Sequence, residues 1–176
     1  MSDRIDVSAG LRLWLPGYHT PSLNRTAGKH WAKVRRLKIA AAEALYEALR
    51  GGQVSSSRFQ VEDAKRVLSK ILLGVSLGRR TGKKPARPAV VPVLRIERVT
   101  CSMLDEDNFK GGTKGLVDCL VAAFPGVLLD DAPGYVVREY LQTACSKRVE
   151  EGTWVELRLA CGENDETRMT NCPDEC

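Results

Sequence analysis

Residues 93–124 read Val93-Leu-Arg-Ile-Glu-Arg-Val-Thr100-Cys-Ser-Met-Leu-Asp105-Glu-Asp-Asn-Phe-Lys-Gly-Gly-Thr113-Lys-Gly-Leu-Val-Asp118-Cys-Leu-Val-Ala-Ala-Phe124. Two periodicities meet in this run. Val91, Val93, Leu94, Ile96 and Val99 give a β-branched, alternating pattern, which predicts a strand over Ala89–Cys101. Leu116, Val117, Leu120, Val121 and Phe124 fall on one side of a helix, which Thr113 can cap. Between strand and helix lie Asp105, Glu106, Asp107 and Asn108. A strand that runs into acids and then a helix is a unit that needs further elements to cover it, so the flanks come next.

Upstream, Leu11-Arg-Leu-Trp-Leu-Pro16 alternates and stops at proline, which reads as a short strand. Residues 17–30 are turn-rich. Helical spacing begins at Trp31, with Val34, Leu37, Ala41, Ala44 and Ala48 as the stripe, Leu45 and Leu49 broadening it, and Gly51-Gly52 as its end. Lys33, Arg36 and Glu43 fall off that stripe. A second helix is expected from about Val61, carried by Ala64, Leu68, Ile71 and Leu72, fading at Gly74. Arg79-Arg-Thr-Gly-Lys-Lys-Pro-Ala-Arg-Pro88 puts five positive charges in ten residues, a solvated loop or an arm for phosphates.

Downstream, Val127-Leu-Leu129 reads as a short buried strand before Asp130-Asp131. Tyr135–Leu141 and Trp154–Ala160 read as two more strands. The polar Lys147–Gly152 between them suggests an antiparallel hairpin. The whole predicts a single α+β domain over residues 1–162, a small, mostly antiparallel sheet with two to three helices. Residues 53–88 look like an expanded insertion. Residues 163–176 look like an acidic, disordered tail.

The chain has 176 residues, 43% hydrophobic and 28% charged, enough for one core. No apolar run reaches the length of a membrane span, and no apolar leader precedes the first strand, so a cytoplasmic protein is expected. Net charge is +5. Residues 163–176 hold five acids against Arg168, a net −4, which leaves +9 on the body. A body that basic favours a nucleic-acid partner. Six cysteines without a CxxC pair suggest reduced, buried thiols. Those at 161, 172 and 176 have no histidine near them, so a zinc site in the tail is not expected.

Asp105, Asp107, Asp118, Asp130 and Asp131 crowd into 27 residues of this basic chain. Two carboxylates about 4 Å apart repel by roughly 4 kcal/mol at an effective dielectric near 20. Cations relieve that cost, and Mg²⁺ takes oxygen ligands of this kind together with phosphate oxygens. Asp105 and Asp107, two apart on extended backbone, would project the same way. Lys114 and Asp118 are a helical i, i+4 pair. Each feature also has a plain reading, as a cap, a surface ion pair or a turn; it is their combination that points to metal-assisted chemistry on a polyanion.

In order and spacing the motifs resemble the RusA-type Holliday junction resolvases. Leu15-Pro16 and Pro21-Ser22-Leu23-Asn24 resemble the family's early strand and Pro-Ser-x-Asn segment. Asp105-Glu106-Asp107-Asn108 resembles its Asp-x-Asp-Asn element. Lys114, Asp118 and Gly126-Val-Leu-Leu-Asp130-Asp131 resemble its lysine, helical aspartate and Asp-Asp pair. Five residues separate Asn108 from Lys114, where the family has two, and Lys110 lies inside that gap; Lys114 keeps the spacing to Asp118. The resemblance implies a homodimer that binds branched DNA and nicks four-way junctions with Mg²⁺ or Mn²⁺. It implies Asp105, Asp107 and Asp131 as metal ligands with Asp130 assisting, and Lys114 as the phosphate contact. Asn24, Arg25, Lys29, Lys33, Arg35 and Arg36 become candidate DNA contacts. The competing expectations are a junction binder without catalysis and a basic interaction domain.

Overall fold

The computed structural model of the chain describes residues 10–22, 31–51, 59–75 and 85–159. In chain order the elements are β1 (Gly10–Pro16), α1 (Trp31–Gly51), α2 (Val61–Leu72), β2 (Val93–Thr100), α3 (Glu106–Gly112), α4 (Lys114–Ala123), β3 (Val137–Ala144) and β4 (Gly152–Arg158). Alternation in β1 turns Leu11, Leu13 and Leu15 inward, and all three are essentially inaccessible. Leu94 and Ile96 of β2, and Val155 and Leu157 of β4, complete the inner face of the sheet. Val93 and Val99 belong to the opposite face of β2.

The sheet order is β1-β4-β2-β3. β4 runs antiparallel to both β1 and β2, while β2 and β3 are parallel. Helices α1, α2 and α4 pack on one another, and their apolar residues close a single core over the inner face. Fully burying a leucine there contributes about 1.5–3 kcal/mol. On the other face the rings of Trp14 and Trp154 lie 4.9 Å apart, and the Arg12 guanidinium sits 4.5 Å over Trp154. Among the described residues no helix is long and apolar enough to cross a membrane.

The structure is thus a single α+β domain with a mixed four-stranded sheet, and several local expectations change. β3 and β4 form no hairpin. The 3₁₀ turn Arg148–Glu150 carries the chain past β2, and β4 inserts between β1 and β2. β3 instead pairs with β2 through the crossover that contains α3 and α4, which is how parallel strands must be joined. The buried stripe of α1 is Ala41, Ala42, Leu45 and Leu49, while Val34 is 47% exposed. The core-facing residues of α1 lie in its later turns, while Val34 and Lys38 in its first turns stay at the surface beside α4. Residues 127–129 are not a strand, although Leu128 is fully buried. Residues 79–84 of the basic loop, residues 76–78 before it and the tail from 160 lie outside the described residues, while at the loop's end the Pro85 carbonyl accepts from the Tyr135 hydroxyl at 2.7 Å.

Candidate functional site

The first part of the site is built where β2 ends. The Leu104 N–H donates to Gln142 Oε1 (3.0 Å), and Gln142 Nε2 donates to the Leu104 carbonyl (2.8 Å). A β3 side chain therefore brackets the backbone just before Asp105. Asp105 keeps an extended backbone and is the N-cap of α3, accepting from the Asn108 backbone N–H at 2.8 Å and from the Asn108 side-chain amide. These hydrogen bonds, the side-chain one first, hold its carboxyl below the usual aspartate value.

Asp107 sits in the first turn of α3, where a negative charge complements the helix dipole, and it is exposed. The common projection of Asp105 and Asp107 expected from a strand does not occur, because the backbone turns helical between them. Thr113 does not cap α4 with its side chain; its hydroxyl donates to the Lys110 carbonyl at 2.7 Å and closes α3 instead. Phe109 anchors α3, buried edge-on to Tyr140 at 5.8 Å between ring centroids.

Lys114 is the centre of the second part. Its Nζ lies 3.0 Å from Asp118 Oδ1 and 2.9 Å from Asp131 Oδ2. The hydrogen bond to Asp131, then that to Asp118, raises the Lys114 pKa, and the same contact lowers that of Asp131. Lys110 is engaged elsewhere, by Glu106 one turn back on α3. The lysine that meets the Asp-Asp pair is therefore Lys114. Asp130 accepts from the Ala132 N–H at 2.9 Å, an Asx turn that fixes the loop.

Lys38 of α1 joins this group and was not singled out by sequence. A pocket of about 260 Å³ is lined by Lys38, Asp118, Val121, Leu129, Asp130 and Asp131. Gly115 lies directly against it: a Cβ there would be 3.8 Å from the Lys38 Cα, ordinary contact distance. An adjoining pocket of about 320 Å³ includes Tyr18, Val34, Leu37, Lys38, Lys114 and Asp118. This explains Val34 and Leu37, which belong to a surface pocket rather than to the core. A signal was present, since Lys38 lies one helical turn beyond Val34, but only the fold brings α1 against α4.

The ion pair gives a pH prediction. The folded-state pKa of Asp131 lies below its unfolded value, so its stabilisation is present above that unfolded value, about 3.9, and is lost as pH falls through the folded one. Its side chain is 35% exposed, so the pair contributes no more than the ~0–1 kcal/mol of accessible ion pairs. Asp131→Asn should therefore lower Tm slightly at pH 7, and the difference from wild type should shrink in melts as pH is taken below about 3.9.

The all-oxygen donor set of Asp105, Asp107, Asp130 and Asp131 suits a hard cation such as Mg²⁺. They are not gathered on one point. Among the described residues, the group that brings three ligand atoms within 4.8 Å of one another is Cys101, Cys145 and Glu151. Asp105 is occupied with Asn108, and Asp131 with Lys114. Of the candidate DNA contacts, Arg36 is exposed, and Arg35 is exposed with its guanidinium beside Gly74 at the end of α2. Asn24, Arg25, Lys29 and the Lys33 side chain lie outside the described residues. Comparison with family models, curated proteins and solved structures returns no match.

Proposed function

We propose that the chain is a Mg²⁺-dependent, structure-selective endodeoxyribonuclease of RusA type that resolves four-way DNA junctions as a homodimer. The observation that supports this reading most is Lys114 held between Asp118 and Asp131, with Lys38 and Asp130 on the same pocket. An ammonium beside carboxylates suits a site that must take in both a cation and a phosphate. Asp105, Asp107, Asp131 and Asp130 would hold the metal, which supplies charge to a phosphoryl oxygen and lowers the pKa of bound water. Lys114 keeps its proton at neutral pH and donates hydrogen bonds through Nζ. A phosphate oxygen replacing Asp131 at Nζ would receive a charge-assisted bond and free that carboxylate. Asp118 stays on the lysine and keeps it aimed. Recognition would rest on phosphates and branch shape rather than on base edges.

A second reading, junction binding without cleavage, is favoured by the spread of the aspartates, no three of which appear in the close ligand grouping. One experiment separates the two. End-labelled four-way junction and linear duplex are incubated with protein in Mg²⁺, in Mn²⁺ and in chelator. Paired, symmetric nicks in the junction alone, lost in chelator, are the expected result. Tight junction binding without nicks in either metal supports the second reading, and equal affinity for duplex rejects both. Junction affinity should also fall steeply with salt, because phosphate contacts release counterions; a flat salt response would remove the basic-body argument.

A further inference from the structure

Four connections meet at one end of the sheet. β1, β2 and β3 all run toward it and β4 runs away. His19 follows β1, Cys101 directly follows β2, Cys145 directly follows β3 and Glu151 directly precedes β4. These are four residues of metal-ligating type from four strand ends, far apart in sequence and outside the Lys114 site.

Three of them are spaced as ligands of one ion would be. Cys101 Sγ and Cys145 Sγ are 3.5 Å apart, and a Glu151 carboxylate oxygen lies within 4.8 Å of both. Two thiolates on a tetrahedral zinc at about 2.3 Å would be about 3.8 Å apart. The strand register sets this spacing: Thr100 pairs with Ala144, and the Cys145 N–H donates to the Thr100 carbonyl at 3.1 Å, which carries the pairing to the next residue on each strand.

Glu151 is oriented from behind. Its Oε1 accepts from the Cys101 backbone N–H at 2.8 Å and from the Thr100 hydroxyl at 3.2 Å. That is the outer-shell support which ligating carboxylates have. Its Oε2 is turned toward His19, whose Nε2 is 3.7 Å away. Nitrogen and oxygen ligands at about 2.0–2.1 Å from a tetrahedral ion would be separated by about 3.3 Å. His19 stands outside the 4.8 Å group, and its half-exposed ring lines the same cavity of about 850 Å³ as Cys101 and Glu151. A side-chain rotation into that space would bring it in.

We propose that Cys101, Cys145 and Glu151 form a zinc site, with His19 as the fourth ligand. Soft thiolates with imidazole and carboxylate select Zn²⁺ over the hard Mg²⁺ expected at the aspartates. Binding displaces one proton from each thiol, so uptake strengthens as pH rises. The site shares no residue with the Lys114 group, so it stands whether or not the chain cuts DNA. It would tie β3, one edge strand, to the ends of β2 and β4 and to the segment that follows β1, the other edge strand.

The test uses the full chain with Cys161, Cys172 and Cys176 changed to serine, so that only described cysteines remain. Under reducing, oxygen-free conditions it is titrated with Zn²⁺ and, as a spectroscopic probe, Co²⁺. The expected result is one ion per chain, thiolate-to-cobalt charge-transfer absorption, and a Tm that rises with Zn²⁺. Cys145→Ser should weaken binding by at least ~100-fold, beyond the roughly 10–100-fold typical of outer-shell changes. Glu151→Gln and His19→Ala should each weaken it while keeping the charge-transfer band. Cys101 is exposed, so Cys101→Ser provides a second thiol test that leaves the core untouched. No metal uptake, or uptake unchanged in both thiol variants, overturns the proposal. A reduced chain that ignores Zn²⁺ yet forms a Cys101–Cys145 disulfide in air also overturns it and assigns the pair to redox chemistry.

Discussion

Lys114→Met should cut the single-turnover rate of junction nicking in Mg²⁺ by about 10²–10³-fold, the usual loss when one preorganised charge is removed from a developing oxyanion. Junction affinity should change little, since binding draws on many phosphate contacts. Methionine keeps the length and the apolar stem, so α4 retains its packing. Lys110→Met is the control. Its ammonium is committed to Glu106 on the exposed side of α3, and its rate should stay near wild type. Equal losses in the two variants would show that Lys114 has no special role. Asp131→Asn should lose as much as Lys114→Met or more, because it removes a proposed ligand and the partner that positions the lysine. The double variant should fall well short of the product of the two losses, since groups acting as a unit are not additive.

The second large effect is structural. Gly112→Ala should lower Tm by about 2–12 °C, from roughly 1–3 kcal/mol of overpacking at about 2–4 °C per kcal/mol for a chain of this size. A Cβ on Gly112 would stand 1.5 Å from the Pro21 carbonyl oxygen and 2.7 Å from its carbon. Both are backbone atoms, so no side chain can swing away. Either α3 or the segment after β1 must move. Gly126→Ala is the control, with nothing within 4 Å of the added carbon, and its melt should shift by no more than about 0.5 kcal/mol. Because α3 carries Asp107 and begins at Asp105, the Gly112 variant should also nick junctions more slowly at temperatures where it is fully folded. A stable variant with normal nicking would separate α3 from the chemistry.

Strong periodicity made β1, α1, α2, β2 and α4 readable, with ends close to those observed except at the start of β2, which begins at Val93 rather than Ala89. α3 was not readable. Its seven residues contain one large apolar side chain, Phe109, and two glycines, and what sustains it is the Asp105 cap, the Tyr140 contact and the space under Pro21. Two of those three come from elsewhere in the chain. Strand pairing was hidden for a similar reason. Lys147–Gly152 has the polarity of a hairpin turn, and nothing in its composition says that β4 bypasses β3 for β2. At the site, the Lys114–Asp118 pair followed from helical spacing, and the structure adds Asp131 to it. Lys38, and the meeting of Cys101, Cys145, Glu151 and His19, depend on which helix and which strand ends become neighbours. Of the three described cysteines only Cys119 is buried, because the other two lie just past strand ends rather than on a core-facing surface.

The insertion of β4 between β1 and β2 bears on how the chain is made. During synthesis β1 emerges first and has no strand to pair with until β4, the last of them, leaves the ribosome. β2 and β3 can join earlier, but one side of β2 stays open. A nascent chain halted before residue 152 therefore carries two unsatisfied strand edges, together with the leucines of β1 that only the finished sheet covers. Such species are prone to aggregate. Assembly is a closing step that waits on the C-terminal strand, so a nonsense codon anywhere before that strand should leave no soluble fragment, whatever it does to the aspartates upstream.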